Sequence, residues 1–153
     1  MRVLLAWALL ASPVLAQDAE TLAVDASIVE ACVADTPAGE LTPACIGAAA
    51  KECQQAPGGD TTIGIVQCVM AEHAAWDEAL NREYRETRAA YGEDETAAAS
   101  LLAAQRAWIA WRDAECAFQY DRYGGGSMRS VAAANCKMSM TAMRTLELKA
   151  LRG

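Results

Sequence analysis

The segment AQRAWIAWRDAEC, residues 104–116, places two tryptophans, two arginines, two carboxylates and a cysteine within one short helical stretch. Asp113 and Glu115, like Asp77 and Glu78 in HAAWDEALN, are carboxylate pairs of the kind a hydrolase uses for acid–base work. Adjacent and next-adjacent positions on a helix point apart, however, so neither pair closes on one substrate atom. The chain has no G-x-S-x-G, no H-E-x-x-H and no phosphate loop. Its single histidine, His73, falls on an apolar helix face, where a core role is expected. The six cysteines include no C-x-x-C pair, which argues against zinc. These residues predict a non-enzyme with no metal and no cofactor.

At about 100° per residue, Leu101, Gln105, Trp108, Ile109, Arg112 and Cys116 share one side of their helix. Gln105 and Arg112 thus interrupt an apolar stripe, and a buried arginine is costly without a partner. Upstream, His73, Leu80, Tyr84, Val69, Thr87 and Tyr91 form another apolar side, with Asp77 and Asn81 beside it. Asp77, Asn81 and Tyr84 make a polar strip at i, i+4, i+7. The spacing predicts a buried Asp77–Arg112 pair supported by Asn81 and Gln105. AQRAWIAWRDAEC is then bundle interior, and Trp111 and Asp113 are its candidates for outward contacts.

The elements that must carry these residues are helical. Alanine and other helix formers dominate, and alternation of β-branched residues is nearly absent. MRVLLAWALLASPVLA reads as a secretory signal peptide cleaved near Ala16–Gln17, so residues 1–16 are set apart and a periplasmic or secreted location is expected. No cysteine follows that point for lipid attachment, and no membrane anchor is expected after cleavage. Breakers then divide the chain into helices near 20–34, from about Thr42–Pro43 to the APGGD turn, 62–91, 94–121, and from a Ser127 cap to Leu151. The expected fold is all-α, a small disulfide-stapled bundle of about five helices built from antiparallel hairpins. Residues 17–61 form an acidic N-terminal hairpin packed as one unit with residues 62–153.

An even cysteine count in an exported chain reads as a disulfide framework. The midpoint of Cys32 and Cys45 lies in TPAGE, that of Cys53 and Cys68 beside PGGD, and that of Cys116 and Cys136 in GGGS. Residues equidistant from a hairpin turn face each other within disulfide reach. The predicted pairs are therefore Cys32–Cys45, Cys53–Cys68 and Cys116–Cys136.

Charge is unevenly spread. Residues 17–80 hold 11 acidic side chains and one basic, a balance of −10, whereas residues 81–153 balance at +2. Such an acidic half repels phosphate backbones, which excludes nucleic acid as a partner, and attracts cationic proteins.

C-x7-W-D-x2-L-N-x2-Y, A-Q-R-A-W-I-x-W-R-D-x-E-C, G-G-G-S and M-T-A-M-R-T-x-E-L together resemble the lysozyme inhibitor LprI-like family. The matching residues run from Cys68, Trp76, Asp77, Leu80, Asn81 and Tyr84 through Gln105, Trp108, Arg112, Asp113 and Cys116. They continue with Ser127, Cys136, Thr141, Arg144 and Leu146. The resemblance spans about residues 62–150 and implies a small exported helical domain. It also implies a lysozyme as partner. The animal enzymes are often cationic, which suits the acidic half. The contacts are expected on the YGGGS turn with Tyr123 and Ser127, or on the acidic TPAGE and PGGD turns. The alternative is an envelope binding or structural module without inhibitory activity.

Overall fold

The computed structural model describes residues 22–152, and the signal peptide read from residues 1–16 lies outside them. Five helices follow in order: α1 (Ala26–Asp35), α2 (Ala48–Cys53), α3 (Thr62–Ala90), α4 (Glu95–Asp121) and α5 (Met128–Ala150). Among the described residues there is no strand. Three helix starts are fixed by a side-chain oxygen that accepts an early amide N–H: Asp25 from Ser27 (2.9 Å), Thr61 from Gly64 (3.0 Å) and Asp94 from Ala97 (2.9 Å). Ser127 stands at the N-cap of α5 but makes no such bond.

Two helices are shorter than the sequence suggests. α1 begins at its Asp25 cap rather than near residue 20. α2 starts at Ala48 instead of beside Pro43, because Gly47 takes a left-handed φ of 90° that ends the preceding turns and aims a fresh helix.

The disulfides are Cys32–Cys45, Cys53–Cys68 and Cys116–Cys136, each spanning one inter-helix turn. They staple α1 to the segment leading into α2, α2 to α3, and α4 to α5. Loops of this length contribute on the order of 3 kcal/mol each in the chain-entropy description. The PGG turn beside the second staple is packed so closely that a Cβ on Gly64 would stand 2.0 Å from the Gly58 carbonyl oxygen.

The disulfide-stapled neighbours pair as hairpins, whereas α3 and α4 hardly touch and the central pair, α3 with α5, is parallel. The hydroxyl of Thr145 lies 3.5 Å from the Trp76 carbonyl, and Thr87 donates to the Leu148 carbonyl at 2.8 Å. Farther along, Tyr91 donates to the Leu151 carbonyl, so α3 and α5 ascend together. α4 is the return stroke between them, and it packs chiefly on α5. The core lies along the α3–α5 seam and under α1 and α2, around the fully buried Trp76, Cys68, Ala79, Ala142 and Leu148.

Within that core, Glu72 is fully buried. Its carboxyl oxygens accept the main-chain N–H groups of Gly47 (2.7 Å) and Ala50 (2.6 Å) and the indole N–H of Trp76 (2.9 Å). A side chain of α3 thus caps the N-terminus of α2, where unpaired amides and the helix dipole favour an acceptor. At the opposite pole, Lys149 of α5 donates to the carbonyls of Val33, Ala34 (3.1 Å) and Thr36 (3.0 Å) at the end of α1. Arg152 closes the bundle by pairing with the buried Glu83 and with Glu86 (2.9 Å).

Glu72→Ala leaves two buried donors and one part-buried donor unpaired and is expected to cost about 3 kcal/mol in denaturant unfolding, against about 1 kcal/mol for an ordinary hydrogen bond lost at the surface. A loss under 1 kcal/mol in that melt would mean that water reaches the site. Gly64→Ala is expected to be comparably destabilising, because backbone rather than a flexible side chain must move.

Candidate functional site

The polar residues singled out in the sequence divide between two places. Asp77 is half-buried on α3 and accepts from the Asn81 side-chain amide at 3.2 Å, while Asn81 itself is exposed and also donates to the Asp77 carbonyl. Arg112, on α4, donates through Nε (3.0 Å) and Nη2 (2.9 Å) to Oδ1 of Asp113. Its Nη1 reaches the Thr141 hydroxyl at 3.4 Å, and its guanidinium lies 5.1 Å from the Trp108 ring centroid. The expected Asp77–Arg112 pair does not form. Arg112 finds its partners on its own helix and on α5, which carries most of the packing of both α3 and α4. Gln105 is buried but serves another arginine, accepting from Arg144 at 3.0 Å. The Tyr84 hydroxyl is buried with no partner among the described residues.

His73 lies among these charges. Burial is the main cause that pulls its pKa below the usual 6.5, Arg112 and Lys137 push the same way, and Asp77 and Asp113 oppose them. Its Nε2 has no hydrogen-bond partner among the described residues.

AQRAWIAWRDAEC, expected as bundle interior, is largely outside. Within it only Gln105 and Cys116 are buried, Trp108 and Arg112 are half-buried, and Ile109 is exposed. α4 has one neighbour to lean on, so a narrow stripe suffices to cover its packed side. The same geometry leaves Trp111 58% exposed and Asp113 exposed.

Two surface hollows flank the α4–α5 hairpin. An open groove of about 520 Å³ runs between the helices, with Trp111 and Tyr123 at its lip and Glu115, Asn135 and Ser139 along it. Glu115 is held by the Gln119 side-chain amide at 2.7 Å. A second hollow, of about 320 Å³, joins the start of α3 to the YGGGS turn through Thr62, Ile63, Val66, Ser127 and Ser130. The structure therefore brings Trp111 and Tyr123 together, sets Ser127 beside Ile63, and leaves Asp113 on the α4 surface. The PGGD and YGGGS turns share one end of the molecule. TPAGE follows α1 at the opposite end, near Lys149.

Sequence reasoning passed over Glu72 and Glu83, the most deeply buried carboxylates. Their signal was spacing, since Val69, Glu72, Trp76, Leu80, Glu83 and Thr87 keep a helical stripe in which both glutamates occupy inward positions. Among the described residues no three His, Cys, Asp or Glu side chains gather as a metal site, and no helix is long and apolar enough to cross a membrane.

The arrangement defines a class first: a disulfide-stapled helical bundle whose buried ionic groups serve the fold and whose surface carries the exposed aromatics. The chain belongs to the lysozyme inhibitor LprI family, whose model matches residues 53–148. An uncharacterized protein of Rhizobium meliloti (strain 1021) is 36% identical over 95 residues, which cover 55% of this chain and 68% of that protein. No solved structure matches the chain.

The sign of the histidine effect is fixed by its lowered pKa. Unfolded His73 binds a proton near its usual 6.5 while the folded chain resists it. Stability is therefore full above that value and falls as pH drops from 6.5 towards the folded-state pKa. Chemical denaturation from pH 7.5 to 5 is expected to show this slope, and His73→Phe to flatten it (His73 being the single histidine). Arg112→Met, with Asp113 half in solvent and the contact to buried Thr141 long at 3.4 Å, is expected to cost about 1 kcal/mol in the same assay.

Proposed function

We propose that this chain is an exported inhibitor that docks on a cationic lysozyme with the end of the bundle where PGGD meets YGGGS. The observation that carries the reading is the chemistry of that end. Ile63 (73% exposed), Met128 (52%) and Tyr123 (44%) project there from adjoining elements. Ser127 lies in the hollow beside Ile63, and exposed Asp60 and Asp121 flank the turns. Apolar anchors with a carboxylate on each turn, beside Arg122 stacked on Tyr123 (5.2 Å), suit an interface whose centre excludes water and whose rim makes polar contacts.

The wider acidic surface supports the same partner. Asp35, Glu40, Glu52 and Asp60 are exposed and form no ion pair among the described residues, and the one cation between residues 17 and 80 is Lys51. Their field accelerates encounter rather than fixing the final contact. TPAGE, at the far end of α1, contributes through that field alone.

Purified, oxidised chain is expected to inhibit lysis by a hen-type lysozyme in proportion to dose, with the effect weakening as salt screens the charges. Tyr123→Ala and Ile63→Asp are each expected to raise the inhibition constant by about tenfold or more, as loss of a buried anchor does. Asp60→Lys is expected to slow association most at low salt. Absence of binding to hen-type and goose-type enzymes at micromolar concentration would leave an envelope module without this activity.

A further inference from the structure

α4 is 27 residues long, yet only Gln105 and Cys116 of it are buried, and its neighbour α5 covers one side. The uncovered side has a regular composition. Ala103, Ala107, Ala110, Ala114 and Ala117 are all exposed and alternate spacings of four and three, the seam of a two-helix supercoil. Along one edge of that seam stand Trp111 and Phe118, 58% and 59% exposed, with Ala104 one heptad before Trp111. Along the other stand Arg106 and Asp113, one heptad apart and opposite in charge.

We propose that this face of α4 is a self-association surface on which a second copy of the chain docks antiparallel. Charge selects the occupant and the register. Layering Ala107 on Ala110 of the second copy puts Arg106 across from Asp113 of that copy, and the two-fold axis repeats the pair. The same register lays Trp111 over Ala104 of the second copy, where a small side chain leaves room for the indole. The neighbouring register, with Ala110 on Ala114, sets the two Asp113 carboxylates against each other and is disfavoured.

The groups concerned are ready for this. Oδ1 of Asp113 accepts both bonds from Arg112, which leaves Oδ2 without a partner among the described residues, and Arg106 forms no ion pair among them. Alanine seams let helix axes approach to about 8 Å. The seam from Ala103 to Ala117 is roughly 21 Å long at 1.5 Å per residue. That is less area than the roughly 800 Å² per partner of a tight complex, so the dimer is expected to dissociate in the micromolar range. This face of α4 is distinct from the PGGD–YGGGS end assigned to lysozyme.

The test is sedimentation velocity on the oxidised chain over a concentration series. A monomer–dimer equilibrium in the micromolar range is expected. Ala107→Glu should weaken it at least tenfold while far-UV circular dichroism and lysozyme inhibition stay unchanged. Arg106→Glu and Asp113→Lys should each weaken the homodimer similarly, and a mixture of those two variants should restore a heterodimer, because both ion pairs re-form across it. A chain that stays monomeric to hundreds of micromolar overturns the proposal. So does a dimer indifferent to Ala107→Glu, which would place the contact on another face or another partner.

Discussion

Two short helices with unpaired ends set the terms for this fold. α1 has 10 residues and α2 has six, both below the ~12–15 at which an isolated helix becomes even marginal in water. Their free end groups are answered by single ionic side chains from the long helices, Glu72 at the start of α2 and Lys149 at the end of α1. Each side chain is a local residue on its own helix and a distant cap for another. The disulfides limit where the short helices can go, and the caps decide how they sit. Because the acidic segment is held this way, its charges are displayed at fixed positions instead of on a loose arm.

The same economy shapes the polar interior. Trp76 is fully buried, and its indole N–H has a partner because Glu72 stands one turn before it. Thr87 and Thr145 turn their hydroxyls to main-chain carbonyls of the α3–α5 seam, so small polar residues join parallel helices that no short turn connects. Burial of such groups is tolerated because each is bonded. The unpartnered Nε2 of His73 and hydroxyl of Tyr84 stand out against that background.

Much of this was legible in the sequence, for identifiable reasons. Helix count followed from Gly and Pro punctuation, and the cysteine pairs from their symmetry about those breaks. The Asp77–Arg112 pair failed because a helical wheel reports which residues share a face and not which helix that face meets. Adjacency in the chain suggested α3 against α4, whereas the parallel α3–α5 pairing was invisible to it. Treating charged residues as outward-facing hid Glu72 and Glu83, although both fall on the apolar stripe. The tryptophans of α4 misled in the other direction, since a tryptophan on a helix with one neighbour is as easily outside as inside. The surface candidates are least legible of all, because Tyr123, Ser127 and Ile63 come together only once two separate turns share an end.

The bond from Lys149 to the Val33 carbonyl joins positions 116 residues apart, and the partners of Glu83 and Thr87 also lie in the last few residues. Synthesis runs the other way. A growing chain can close its stapled hairpins as they emerge, for each spans 20 residues or fewer. It cannot complete the core until the last turns of α5 are free, because α5 supplies half of the central seam. Until then α1, α2 and the inner face of α3 are exposed to proteases, and a break in α5 before Thr145 should be far more damaging than its place in the chain suggests.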